Sequence, residues 1–347
     1  MILEIQTIAI FILWLFLYAY MIIASIDFGA GFYAFYAIST KEEPKLIGLI
    51  NRHLSSIWEL ATLFFIFFFV GVVGIFPRVA YYYGVPLLVP GSVAMILLAI
   101  RGSFYTFQQY GGKKSKYFLL LYGATSLLIP VTLSTVLTIS EGGFIIENGT
   151  DIRFYPLKLI TNFYSLSVML LAVCSVLFIS AMFLIYSAKL VNDSESEIKL
   201  RKYVLVWSIP TIISSIIVFA SMKQHNSVHF ERMHNVWEYF LISLICFGIA
   251  ITLIIKRKRY GLAFILVLLQ YFFAFFGYGV SHMPYILYPY LRIETSFAKS
   301  SLALILIIFF VLFLLIITIY FIFLMMNKPI FLKLYLKNHD KNNVTDK

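Results

Sequence analysis

"TIAIFILWLFLYAYMIIASIDFGAGFYAFYA", residues 7–37, is an almost unbroken apolar run that holds a single acid, Asp27, followed by Gly29 and Gly31. A helix gains about 1.5 Å per residue, so about 20 apolar residues cross the hydrocarbon of a bilayer. The run is therefore read as a membrane-spanning helix with a carboxylate in its second half. A charge inside a span costs at least about 2.5 kcal/mol on insertion scales, so Asp27 is expected to face protein or water rather than lipid. The two glycines remove side chains just after it, so a neighbouring helix can approach closely or the helix end can loosen.

Outward from this stretch the same pattern recurs. We place nine spans at about residues 6–36, 57–76, 81–107, 117–140, 163–187, 203–221, 237–255, 260–280 and 300–326. They form one all-α transmembrane domain over residues 1–326, followed by a polar, basic tail at 327–347. The joining segments "TKEEPK", "QQYGGKKSK", "EGGFIIENGT" and "NDSESE" (192–197) are read as loops. With 61% apolar and 12% charged residues, the chain cannot be a soluble domain of this size. Its net charge of +11 would suit nucleic acid, but the basic residues lie in short loops, where topology explains them. Cys174 and Cys246 sit in apolar runs with neither metal spacing nor a disulfide framework. The N-terminus has no basic n-region or cleavage site, so the first span is expected to be retained.

Nine spans put the termini on opposite sides. Of the 27 Lys and Arg residues, 19 fall on the side of the tail, 7 fall on the other, and Arg101 is inside a span. The positive-inside rule makes the tail cytoplasmic and the N-terminus external, with "KRKR" at 256–259 the sharpest inside marker. Asp27 then lies near the cytoplasmic end of span 1, Glu59 in the first turn of span 2 and Arg101 late in span 3. Three consecutive helices thus bring two acids and one arginine to similar depth. One carboxylate with Arg101 would be a lock between helices. The second acid is left over and can load and release a proton, so the expectation is a polar cluster that handles protons. Trp58 beside Glu59 is read as an interfacial anchor.

The histidines are weighed as ligands. His225, His229 and His234 cluster in "KQHNSVHFERMHN", expected to be an external surface loop without a carboxylate or cysteine frame, so no metal site is expected. His53 and His339 fall in cytoplasmic polar stretches, and His282 in the external "SHMPY". No span carries a mid-membrane histidine to hold a haem. Glu238, beside Trp237, opens span 7, where an acid suits a helix N-terminus. A second hypothesis is a stand-alone proton-coupled transporter using the same carboxylates. It would want broken helices near the midplane, for which Pro130 and Pro210 are the candidates.

"IDFGAG" (26–31), "WE" (58–59), "GIFP" (74–77) and "IRGSF" (100–104) stand in the order and approximate spacing of subunit II of cytochrome bd quinol oxidases, which this chain resembles. The motifs cover about the first third of the chain; the remainder agrees in span number. Ala24 and Ser25 stand where the family's "DGFD" has its first acid and glycine, and "LATLFF" follows "WE" in place of "GNEVW". These departures resemble the divergent Gram-positive branch. The resemblance implies two four-helix bundles with one peripheral helix in a bacterial plasma membrane. It also implies a respiratory complex that oxidises quinol and reduces oxygen to water. This chain would ligate no cofactor or metal. The haems, two b-type and one d-type, would sit in a partner, the haem-bearing subunit I of a heterodimer. Optionally a small accessory subunit joins them. Surrounding lipid is the other contact; nucleic acid is not. Asp27, Glu59 and Arg101, with Trp58 beside them, match the family positions linked to a cytoplasmic proton path.

Overall fold

The computed structural model describes residues 2–40, 44–109, 116–148, 151–298 and 301–326. The elements are α1 (Ile2–Ser39), α2 (Pro44–Ile75), α3 (Arg78–Gln109), α4 (Lys116–Ser140), β1 (Ile145–Asn148), β2 (Asp151–Phe154), α5 (Pro156–Thr161), α6 (Phe163–Leu190) and α7 (Ser194–His225). They continue with α8 (Ser227–Asn235), α9 (Trp237–Ile255), α10 (Tyr260–His282), β3 (Tyr285–Leu287), β4 (Leu291–Arg292), α11 (Ile293–Ser296) and α12 (Ser301–Met326). Among the described residues seven helices are long and apolar enough to cross a membrane: α1, α3, α4, α6, α7, α9 and α10. Within α2 and α12 the corresponding apolar stretches, Glu59–Ile75 and Ala303–Ile317, are shorter. The tail at 327–347 lies outside the described residues.

Helix α1 runs through the middle of the assembly and packs on α2, α4 and α6. Its two halves anchor two cores. Toward its C-terminus Ile22, Ile26, Ala30 and Tyr33 pack with Leu177, Phe178 and Met182 of α6, and with Leu200 and Val204 of α7. Toward its N-terminus Leu13 and Phe16 pack with Phe64 of α2, Ile139 of α4, Phe310 of α12 and the hairpin residues Phe144, Ile145 and Leu287. In lipid these contacts gain little from leaving water, so close fit and inter-helix hydrogen bonds must hold the helices together. Gly29 is one place where fit is demanded. A Cβ there would lie 2.7 Å from Val176 O and 2.8 Å from Ser180 Oγ, and Ser180 Oγ donates to Ile26 O at 3.1 Å. Here the glycine serves close helix packing, and α1 continues without a break to Ser39.

Local signals explain where the loops are shorter than expected. Asp193 caps α7 by accepting from Ser196 N at 3.2 Å, and Glu195 and Glu197 occupy the first turn, where acids oppose the helix dipole. Most of "NDSESE" is therefore helix rather than loop. The segment after α4 is also ordered. Gly142 and Gly143, at φ +83° and +82°, turn the chain into the antiparallel pair β1–β2, with Ile145 opposite Phe154. The histidine-rich segment is a short helix, α8, capped by Asn226 accepting from His229 N at 3.1 Å. Pro130 and Pro210 lie inside continuous helices α4 and α7.

Candidate functional site

Arg101 of α3 and Asp27 of α1 are each only 3% exposed. The guanidinium donates to Asp27 Oδ2 at 3.0 Å and to the Asp27 carbonyl at 2.9 Å, and its other arm donates to Ser126 Oγ of α4. Ser126 Oγ in turn donates a hydrogen bond to Tyr122 O at 2.7 Å. The cation also lies 4.5 Å from the centroid of the Tyr122 ring and 5.2 Å from that of Phe28. Arg101 is therefore caged by two helices besides its own. Gly31 is required for the cage, because a Cβ there would meet the two guanidinium nitrogens at 2.7 and 2.9 Å. One acid meets one base, and the pair closes on itself.

Glu59 stands apart from this cage. It is exposed on α2 and, among the described residues, makes no ion pair with Asp27 or Arg101. The expected count of two acids to one arginine thus does not describe the buried group. Glu59 opens the apolar part of α2, where a carboxylate can keep its head in a wetter layer. The side chains of Trp58 and His53 lie outside the described residues, as does the whole of His339.

A second buried polar cluster escaped sequence reasoning. Glu141, one residue beyond α4, is 1% exposed. Its carboxylate faces His229 Nδ1 of α8, 2.9 Å from each oxygen, and His282 Nδ1 at the end of α10, 3.3 Å from Oε1. Asn226 Nδ2 donates to Oε2 at 2.9 Å, and Tyr278 OH donates to Oε1. Burial alone would raise the carboxyl pKa. His282 and His229, by charge and hydrogen bond, outweigh that and hold Glu141 well below the ordinary carboxylate range. The histidine-rich segment is thus no bare surface loop, and a carboxylate does accompany it. Only His234 of its three is exposed; His225 accepts from or donates to neither Glu141 oxygen but contacts Gly142 O at 3.2 Å and stacks on Phe144 and Tyr164. Cys174 and Cys246 are free and buried.

The family model for cytochrome bd terminal oxidase subunit II matches residues 5–327. The chain belongs to this family. Subunit II is a component of a quinol oxidase, an oxidoreductase of the bacterial membrane, and implies a subunit I beside it in a haem-using complex. A Bacillus subtilis (strain 168) protein named "Putative cytochrome bd menaquinol oxidase subunit II" is 30% identical over 302 residues, covering 85% of this chain and 87% of that one. The solved bd oxidase of Geobacillus thermodenitrificans contains a chain 46% identical, with a TM-score of 0.81, covering 93% of this chain and 98% of that chain. The transporter hypothesis is not favoured beside a subunit II match of this length.

Proposed function

We propose that this subunit II is the haem-free half of its oxidase and carries protons from the cytoplasm toward the site of oxygen reduction in subunit I. In this reading it crosses the membrane nine times, as two four-helix bundles and a peripheral helix, with the N-terminus external and the tail cytoplasmic. The basic-residue bias of 19 to 7 supports that orientation. Asp27 and Arg101 then lie toward the cytoplasmic face, with Glu59 near them in depth. Glu59 accepts the proton on the exposed surface of α2. The buried Asp27–Arg101 pair sets the local field and keeps α1, α3 and α4 in register, and Trp58, next to Glu59 in sequence, is assigned to the same route. The observation that carries the reading is the exposed Glu59, an ionisable group at the start of the apolar stretch Glu59–Ile75 of α2, where charge is otherwise excluded. The quinol of the Bacillus relative, by its name a menaquinol, is the electron donor proposed here. The test is Glu59→Gln in the assembled complex: normal assembly and haem content with slowed quinol-driven oxygen uptake supports the route.

The closure of Asp27 on Arg101 favours a second reading, in which the pair is a lock between helices and protons enter elsewhere. Under it Arg101→Met blocks assembly while Glu59→Gln leaves turnover intact.

A further inference from the structure

We propose that Glu141, His229 and His282 form a binding site for a divalent transition-metal ion of the zinc class. The site lies at the external end of the bundle in the orientation proposed above. Three side chains from separate segments, the end of α4, α8 and the end of α10, each offer one ligand atom, all within 4.8 Å of one another and all buried. Zinc takes imidazole nitrogen and carboxylate oxygen at about 2.0–2.2 Å, and tetrahedral ligands on one ion are then about 3.3–3.6 Å apart. The separations from Glu141 Oε1 to the two Nδ1 atoms, 2.9 and 3.3 Å, are close to that spacing, so small movements open the site.

The hydrogen bonds around His229 point to a cation. Ser281 Oγ gives its proton to Tyr278 O at 2.8 Å. Its oxygen therefore accepts from His229 Nε2–H, at 2.7 Å. With Nε2 turned to Ser281, Nδ1 is the ring atom that faces the carboxylate, 2.9 Å from both oxygens, and is the one placed to take a metal ion. A positive charge shared between Nδ1 and the carboxylate satisfies both groups, and either a metal ion or a proton supplies it. The rest of the surroundings is what metal ligands have. Nε2–H of His229 is held by Ser281, and the carboxylate is oriented by Asn226 and Tyr278. Asn226 is itself fixed, since its Oδ1 accepts from His229 N at 3.1 Å. Among the described residues Nε2 of His282 is buried without a hydrogen-bond partner, and the ring is held by packing on Tyr278 and His229 and by what lies at Nδ1.

The competing occupant is a proton, which would make His229 an imidazolium. The two differ in measurable ways. The complete oxidase, purified through a tag without histidines and stripped with chelator, is titrated with Zn²⁺ against a chromophoric competitor. We expect one strong site, weakened about tenfold or more in Glu141→Gln and His282→Gln, with the haem spectrum unchanged. Zinc binding that is the same in both variants and wild type, or no strong site in wild type, overturns the proposal in favour of the proton. Zinc-edge X-ray absorption on the wild-type complex gives an independent reading should a variant fail to assemble. Two imidazole nitrogens and a carboxylate oxygen at about 2.0–2.2 Å support the site, and a shell without imidazole contradicts it.

Discussion

Arg101 grips Asp27 at two places, the side-chain Oδ2 at 3.0 Å and the main-chain oxygen at 2.9 Å. The second contact lies on the backbone of α1, so the arginine reads the position of the helix as well as the charge upon it. Neutralising the acid removes the ion pair but leaves the carbonyl bond; neutralising the arginine removes both.

The two substitutions should therefore differ in severity. Arg101→Met strands a buried carboxylate and frees Ser126 and the Asp27 carbonyl as well. A broken buried pair costs about 3–5 kcal/mol, and Arg101→Met should sit at the upper end, with little assembled oxidase recovered. Asp27→Asn retains the shape and one acceptor for Arg101, and should assemble at a reduced thermal midpoint. Haem yield per milligram of membrane and the melting temperature of the purified complex check the order. Equal yields for both would show that the carbonyl contact is immaterial.

Gly31→Ala places a methyl group against the guanidinium, and Gly29→Ala places one against Val176 O and Ser180. Overpacking of this kind costs about 1–3 kcal/mol, so each should lower the melting temperature of the complex. Ser180→Ala removes Ser180 Oγ but leaves its Cβ, and so should rescue Gly29→Ala at most in part. Gly84, by contrast, has open space where a Cβ would go, and Gly84→Ala should be neutral.

The orientation is tested by a reporter fused after Met326 that works only on the external side. We expect it to be silent there and active when fused ahead of Ile2. Activity at the tail would reverse the depths assigned to Asp27, Glu59 and Arg101.

The apolar runs and the pairing of Asp27 with Arg101 were legible because a charge inside a span must find a partner, and sequence-adjacent helices offer the nearest one. Close approach at Gly29 and Gly31 was legible as one of two readings of their missing side chains, the other being a loosened helix end. Glu59 was misjudged because depth along the membrane normal says nothing about which face of α2 a residue occupies. Two missed elements did carry local signals: Asp193 three residues before Ser196, and Asn148-Gly149 between two apolar runs. The Glu141 cluster carried none. Its members are 88 residues apart for His229 and 53 further on for His282, and only the packing of α4, α8 and α10 joins them. Each residue alone looked like an ordinary loop polar group.

The proton role of Glu59 is the centre of the functional account, and turnover of the Glu59→Gln oxidase measures it most directly. The side chain is exposed, so its replacement should leave assembly and the haem spectrum unchanged. Positioned proton-transfer groups contribute about 10²-fold or more where they act directly. Quinol-driven oxygen uptake, normalised to haem, should therefore fall about tenfold or more. Uptake at the wild-type rate in a fully assembled Glu59→Gln complex would contradict the account and leave the Asp27–Arg101 pair as a structural lock.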